Sequence, residues 1–207
     1  NFVENAVAEN LDAKWRVVMF HHDIYGAGHH AGDNDTKLLS AVYSSICDEF
    51  DIDICLTGHE HYYARSYFMY DDRVVDMDYT QNKAVNPEGT LYLTASSAGG
   101  RNRMYDEPFN YEWLCFEYMS QDLTYSTVEF TDTTFTLNTT DLSGKVIDSY
   151  TIEKTDEFAE LDEKDGLLNT NVIDRLLRNY TGEYYVIFET IFGIFDTVKG
   201  FIASLFN

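Results

Sequence analysis

Two histidines one residue apart, His59 and His61, stand in Gly58-His-Glu-His61, just past the apolar run Ile52-Asp-Ile-Cys-Leu56. Imidazole nitrogens are ligands for zinc, iron and manganese, and a strand end holds them rigidly while the following loop turns both toward one point. Gly-His-x-His alone says little, because loop histidines are common. Here, however, all six histidines of the 207-residue chain fall between His21 and His61. His21 closes a second apolar run, Arg16-Val-Val-Met-Phe20; His22 follows it, and His29-His30 lie in the loop beyond. Three histidines at converging strand ends favour a metal site over a lone hydrogen-bonded core histidine.

The elements around these residues must bring them together. Arg16 to Phe20 reads as a strand covered on both faces. Leu38, Val42, Ile46 and Phe50 form a helical stripe, with Asn34 or Asp35 placed to cap its start. Ile52 to Leu56 is the next strand. Strand, loop, helix and strand in this order make a βαβ unit, whose parallel strands carry functional residues at their carboxyl ends. His21 and the His59/His61 pair are therefore expected at one edge of one sheet.

The flanks read as scaffold. Val3, Ala6, Val7 and Leu11 mark a short amphipathic helix before the first strand. Tyr67 to Pro87 is polar and irregular, and Thr90 to Thr94 is a strand running into Gly99-Gly100, where a turn or a close main-chain approach fits. Tyr125–Phe130, Thr133–Leu137 and Val146–Ile152 read as antiparallel strands, the last two joined by a turn at Asp141-Leu-Ser-Gly144. Composition shifts at Thr155, giving a division into 1–154 and an acidic linker with a helical tail over 155–207. Glu189, Asp196 and Lys199 interrupt the last helical segment, so no transmembrane segment is expected.

A formal net charge of -22 repels nucleic acid and anionic membranes, so a phosphate ligand would have to meet a local cation. An aromatic content of 15% points to a β-rich core. The three cysteines, Cys47, Cys55 and Cys115, make no disulfide framework and read as small buried hydrophobes. No signal peptide is read at the start, and residue 1 is Asn in place of Met, so the chain is expected to be either processed or a fragment. Asn-x-Thr matches at Asn34, Asn138 and Asn179 permit a secreted, extracellular protein.

Val18-Met-Phe-His21 and Gly58-His-Glu-His61, the latter extended by Tyr63-Ala-Arg-Ser66, resemble the last two metal motifs of the calcineurin-like metallophosphoesterases. With His29-His30, Asn86-Pro-Glu-Gly-Thr90 and Ser97-Ala-Gly-Gly100 the chain is most similar to the purple acid phosphatase branch and its bacterial relatives, over roughly residues 1–153. The resemblance implies an α/β fold, part of a four-layer αββα sandwich with mixed sheets, here with C-terminal helices added. It implies two metal ions, iron with zinc, manganese or iron. His21 and His59 would be ligands of the second metal and His61 of the first. His30, or its neighbour His29, would stand beside the substrate phosphate as general acid, with His22, Tyr63 and Arg65 in support. The implied reaction is hydrolysis of a phosphate ester by a hydroxide held in the dinuclear centre.

The family's earlier motifs, Gly-Asp-x-x-Tyr and Gly-Asn-His, do not occur in the chain. It is therefore expected to be the C-terminal half of the catalytic domain, with the N-terminal half in another chain or a missing segment. Two other readings stand beside this one. His21, His59 and His61 could hold a single catalytic zinc with an open fourth position, or the chain could be a non-catalytic binding or scaffold module that keeps the fold.

Overall fold

The computed structural model describes residues 2–76, 82–97, 99–100 and 102–155. The C-terminal helices expected beyond Thr155 lie outside the described residues. The chain opens with α1 (Phe2–Ala8), then β1 (Val17–Met19), α2 (Asn34–Glu49), β2 (Ile54–Thr57), β3 (Tyr63–Tyr70) and β4 (Arg73–Asp76). It continues through β5 (Lys83–Val85), β6 (Thr90–Ala95), β7 (Leu114–Tyr118), β8 (Thr124–Phe130), β9 (Thr134–Asp141) and β10 (Val146–Glu153).

The expected βαβ unit is present: β1 and β2 pair in parallel, Val17 opposite Ile54 and Met19 opposite Leu56. β6 continues the parallel run beside β2. β3 then lies antiparallel to β6, and on its other side pairs with β7 and β4, giving the order β1-β2-β6-β3-β4 with β7 beside β3. A second sheet runs β5-β10-β9-β8, antiparallel except for β5 beside β10. The α/β class with mixed sheets thus holds.

Alternation along the strands of the first sheet separates its two faces, because successive side chains point to opposite sides. Ile54, Phe68, Leu91 and Leu93 pack on Phe135, Leu137, Tyr150 and Ile152 of the second sheet. Their neighbours Cys55, Met69 and Tyr92 face the other way, with Cys47 of α2 and the half-buried Tyr43 and Phe20. Each fully buried side chain of this size contributes about 1.5–3 kcal/mol. The layers described are thus helix, sheet and sheet. Cys47 and Cys55 are buried, in keeping with their reading as small hydrophobes, and half-buried Cys115 accepts from Arg65 Nη1 at 3.5 Å.

Four expectations need correction. The apolar stripe of α2 only borders its packing face: Leu38 is exposed and Val42, Ile46 and Phe50 are half-buried, while Ala41, Ser44, Ser45, Cys47 and Asp48 are buried. Small side chains let the helix lie close to the sheet, and Ser45 Oγ donates to Ala41 O at 2.9 Å, so its burial leaves no orphan hydroxyl. The N-cap is Asp33 rather than Asn34 or Asp35. β1 is an edge strand, not one covered on both faces: Val17 is 38% and Met19 78% exposed. The irregular stretch after Tyr67 is partly a hairpin, in which β3 and β4 meet through Asp71-Asp72 with φ of 50° and 57°. Two positive φ values in a two-residue loop match the twist of the strands, and Asp tolerates that region.

Candidate metal and phosphate site

The carboxyl ends of β1, β2 and β6 and the start of β3 share one edge of the first sheet, so their loops converge. Gly58 N donates to His21 O at 3.0 Å, joining the loop after β2 to the one after β1. Glu60 N donates to Gly58 O at 2.8 Å, closing a tight turn that holds His59 at φ 68°. A β-carbon in that region is strained by about 1–3 kcal/mol, and such strain persists where surrounding structure imposes it. Ser96, at the end of β6 on the same edge, has φ 64°.

The outcome is a cluster of imidazoles. His59 Nδ1 stands 3.1 Å from His21 Nε2. His22 and His30 flank the same ring, with centroids 4.8 and 5.1 Å from that of His59, and His29 lies 4.9 Å from His30. Desolvation, and then the neighbouring His22, His21 and His30, hold His59 below the usual histidine range. A neutral imidazole is the ligand form. Two nitrogens on one tetrahedral or octahedral ion with bonds of about 2.0–2.1 Å stand roughly 2.9–3.4 Å apart. The His21–His59 pair falls in that window, so the donor set fits a shared ion. His61 is exposed on the same loop, and its carbonyl accepts from Arg103 N at 2.7 Å. Among the described residues no group of three or more His, Cys, Asp or Glu side chains is disposed to hold a metal.

His30 is held from two sides. Its Nδ1 is 2.8 Å from Asp33 Oδ2, a contact that raises its pKa above the usual histidine range, and its main-chain N–H donates to Glu60 Oε1. This explains the α2 N-cap, where Asp33 makes no side-chain capping bond: its carboxylate serves His30 instead. Beneath the histidines lie two buried carboxyl groups, Asp23 (0% exposed) and Glu60 (1%). Neither Asp23 oxygen, nor Glu60 Oε2, has a hydrogen-bond partner among the described residues. Desolvation, with the adjacent Glu60 charge, pushes Asp23 up to about 7. The loop glycines make room for both acids. A β-carbon on Gly26 would sit 2.4 Å from Asp23 Oδ2, and one on Gly28 would sit 2.3 Å from Glu60 Oε2. Outside, Tyr111 stacks on Trp113 at 4.5 Å and Trp113 Nε1 donates to Gly26 O at 3.0 Å, pinning the loop.

Tyr63 and Arg65, the tail of the last motif, stand between the sheets. Arg65 Nε and Nη2 donate to Asp148 Oδ2 and Oδ1 at 2.7 and 3.0 Å. Tyr63 OH donates to Asp148 Oδ2 at 2.7 Å and accepts from Thr139 Oγ1 at 3.1 Å. The guanidinium also lies 4.3 Å over the Tyr150 ring. Sequence reasoning missed Asp23, Asp33 and Glu60. Only Glu60, placed between two histidines, and Asp33, three residues after His30, carried any local signal.

Residues 2–63 match the calcineurin-like phosphoesterase family. A zebrafish (Danio rerio) protein, acid phosphatase type 7, is 30% identical over 128 residues, covering 59% of this chain and 28% of its own length. Purple acid phosphatase PPD1 from yellow lupin (Lupinus luteus) seeds superposes with a TM-score of 0.59 at 19% identity, over 81% of this chain and 31% of that one. The chain therefore spans under a third of either relative's length. Over these spans the chain is similar to the calcineurin-like phosphoesterases and to an acid phosphatase, and its mixed two-sheet fold is similar to that of a purple acid phosphatase.

Proposed function

We propose that the chain contributes part of the site of a metal-dependent phosphoesterase that hydrolyses phosphate esters. The observation that carries this is the 3.1 Å approach of His59 Nδ1 to His21 Nε2 at adjacent parallel strand ends, the spacing of two ligands on one ion. In this reading His21 and His59 hold one ion and His61 contributes to a second. Iron with zinc, manganese or iron suits imidazole donors. When bound, the ions neutralise phosphoryl oxygens and make water acidic enough to supply a nucleophile near neutral pH. The chain's own residues do the rest. His30, seconded by His29, faces the cluster and carries a proton for the leaving alcohol, with Asp33 on Nδ1 favouring the protonated ring. His22 borders His59, while Tyr63 and Arg65 fix the strand that follows the metal loop.

The remaining ligands come, in this proposal, from an N-terminal half of the domain, in another chain or in an upstream segment. The exposed Val17 and Met19 on the edge strand β1 support a further strand there. Among the described residues no helix is long and apolar enough to cross a membrane. A secreted location belongs to the same reading, with the Asn-x-Thr site at exposed Asn34 in its favour.

The test uses the full-length protein with bound metal quantified and an aryl phosphate as substrate. His21→Ala and His59→Ala are expected to lower both metal content and kcat by at least about 100-fold for kcat, the scale of losing an assembled catalytic centre. One metal per site with full activity would move the proposal to a mononuclear hydrolase. Full activity in either variant would overturn the metal-dependent reading, and no activity in the native protein would point to a binding module instead.

A further inference from the structure

Glu60 lies between the two histidines of the metal loop, yet its side chain turns away from them. It is 1% exposed, and Oε1 accepts the main-chain N–H of His30, thirty positions earlier in the chain. Two features show that the contact is built rather than incidental. Gly28, at φ 142°, leaves space for the carboxylate: a β-carbon there would come within 2.3 Å of Oε2 and 2.4 Å of Cδ. Asp33 independently orients the ring of the same histidine, with Nδ1 to Oδ2 at 2.8 Å. Main chain and ring of His30 are thus fixed by two different acids, one from each side of the site.

We propose that Glu60 is a positioning residue, a latch by which the loop bearing His59 and His61 holds the loop bearing His29 and His30 at a set distance from it. The direction of the Glu60 side chain carries the coupling. Any movement of the metal loop is transmitted to the His30 main chain through one hydrogen bond, whose acceptor sits out of reach of water. The bond accounts for the placement of His30, in a glycine-containing loop, with its ring centroid 5.1 Å from that of His59. For its activity consequence the proposal rests on the phosphoesterase reading above; for its structural consequence it does not.

The test separates the two. Hydrogen exchange of the His30 amide is followed by NMR in the native protein and in Glu60→Ala, Glu60→Gln and Gly28→Ala. Glu60→Ala is expected to speed exchange at His30 by about 10- to 100-fold, the scale of one hydrogen bond to a charged group, while the amides of Leu137 and Tyr150 keep theirs. Glu60→Gln retains an acceptor oxygen and is expected to recover most of the protection. Gly28→Ala, which displaces the carboxylate without removing it, is expected to reproduce the loss. On an aryl phosphate, the Glu60→Ala enzyme is expected to lose about 10-fold in kcat with KM within about twofold, as for a mispositioned proton donor. Unchanged exchange at His30 in both Glu60→Ala and Gly28→Ala overturns the proposal. Equal loss at His30, Leu137 and Tyr150 also overturns it, since Glu60 would then hold the fold and not the loop. If the native protein cleaves no phosphate ester, the functional reading falls while the exchange result still decides the latch.

Discussion

Two of the groups of charged side chains buried among the described residues differ in one respect. Between the sheets, Asp148 receives Arg65 on both oxygens and Tyr63 on one, and the tyrosine is in turn held by Thr139. Under the histidines, Asp23 has no partner on either oxygen and Glu60 is half-satisfied, among the described residues. Burial of a charge without partners costs several kcal/mol, so a fold keeps such groups only where something else selects them. In these two groups the carboxylate between the sheets is fully served, and the carboxyls under the histidines are not.

The largest test of this contrast is Asp148→Ala. It strands a buried guanidinium and a tyrosine hydroxyl together, and is expected to cost about 3–5 kcal/mol in denaturant unfolding. A loss under about 1 kcal/mol would mean that the inter-sheet network is not the structural element it resembles. Asp23→Asn is the counterpart. Because no side-chain donor among the described residues serves the carboxyl, an isosteric amide is expected to leave stability within about 1 kcal/mol of native or to raise it. A loss as large as that of Asp148→Ala would erase the distinction between the two regions.

The smallest effect belongs to the turn between β9 and β10, where Asp141 accepts from Ser143 Oγ at 2.6 Å and from the amides of Ser143 and Lys145 at 2.8 and 3.0 Å. The Ser143 hydroxyl, with those amides, holds Asp141 below its ordinary value of 3.8. A depressed carboxyl contributes stability above its unfolded-state pKa and loses it as pH falls through the folded one. The Ser143 and Lys145 amides are therefore expected to stay protected through the ordinary carboxylate range and to exchange faster only below it. Opening that begins above pH 3.8 would contradict the assignment.

The sequence patterns showed the site more readily than they showed its support. His21, His59 and the parallel pairing of their strands were legible because apolar runs ending in histidine, with a helix between them, admit few arrangements. The β3–β4 hairpin was not, since Asp71-Asp72 supplies positive φ without a glycine to mark it. The packing face of α2 was misread because small and polar residues lie against the sheet and the apolar stripe only borders them. Nor could spacing reveal the Asp23 and Glu60 carboxyls under Gly26 and Gly28. Their burial depends on loops folding over one another, a contact at long range that no local periodicity encodes.

The central claim is that His21 and His59 share an ion. Anomalous scattering from crystals of the metal-loaded full-length protein tests it most directly. The expected result is a peak about 2.0–2.3 Å from both His21 Nε2 and His59 Nδ1. A metal-loaded, active protein in which those two nitrogens remain in direct contact, with the peak elsewhere, would contradict it.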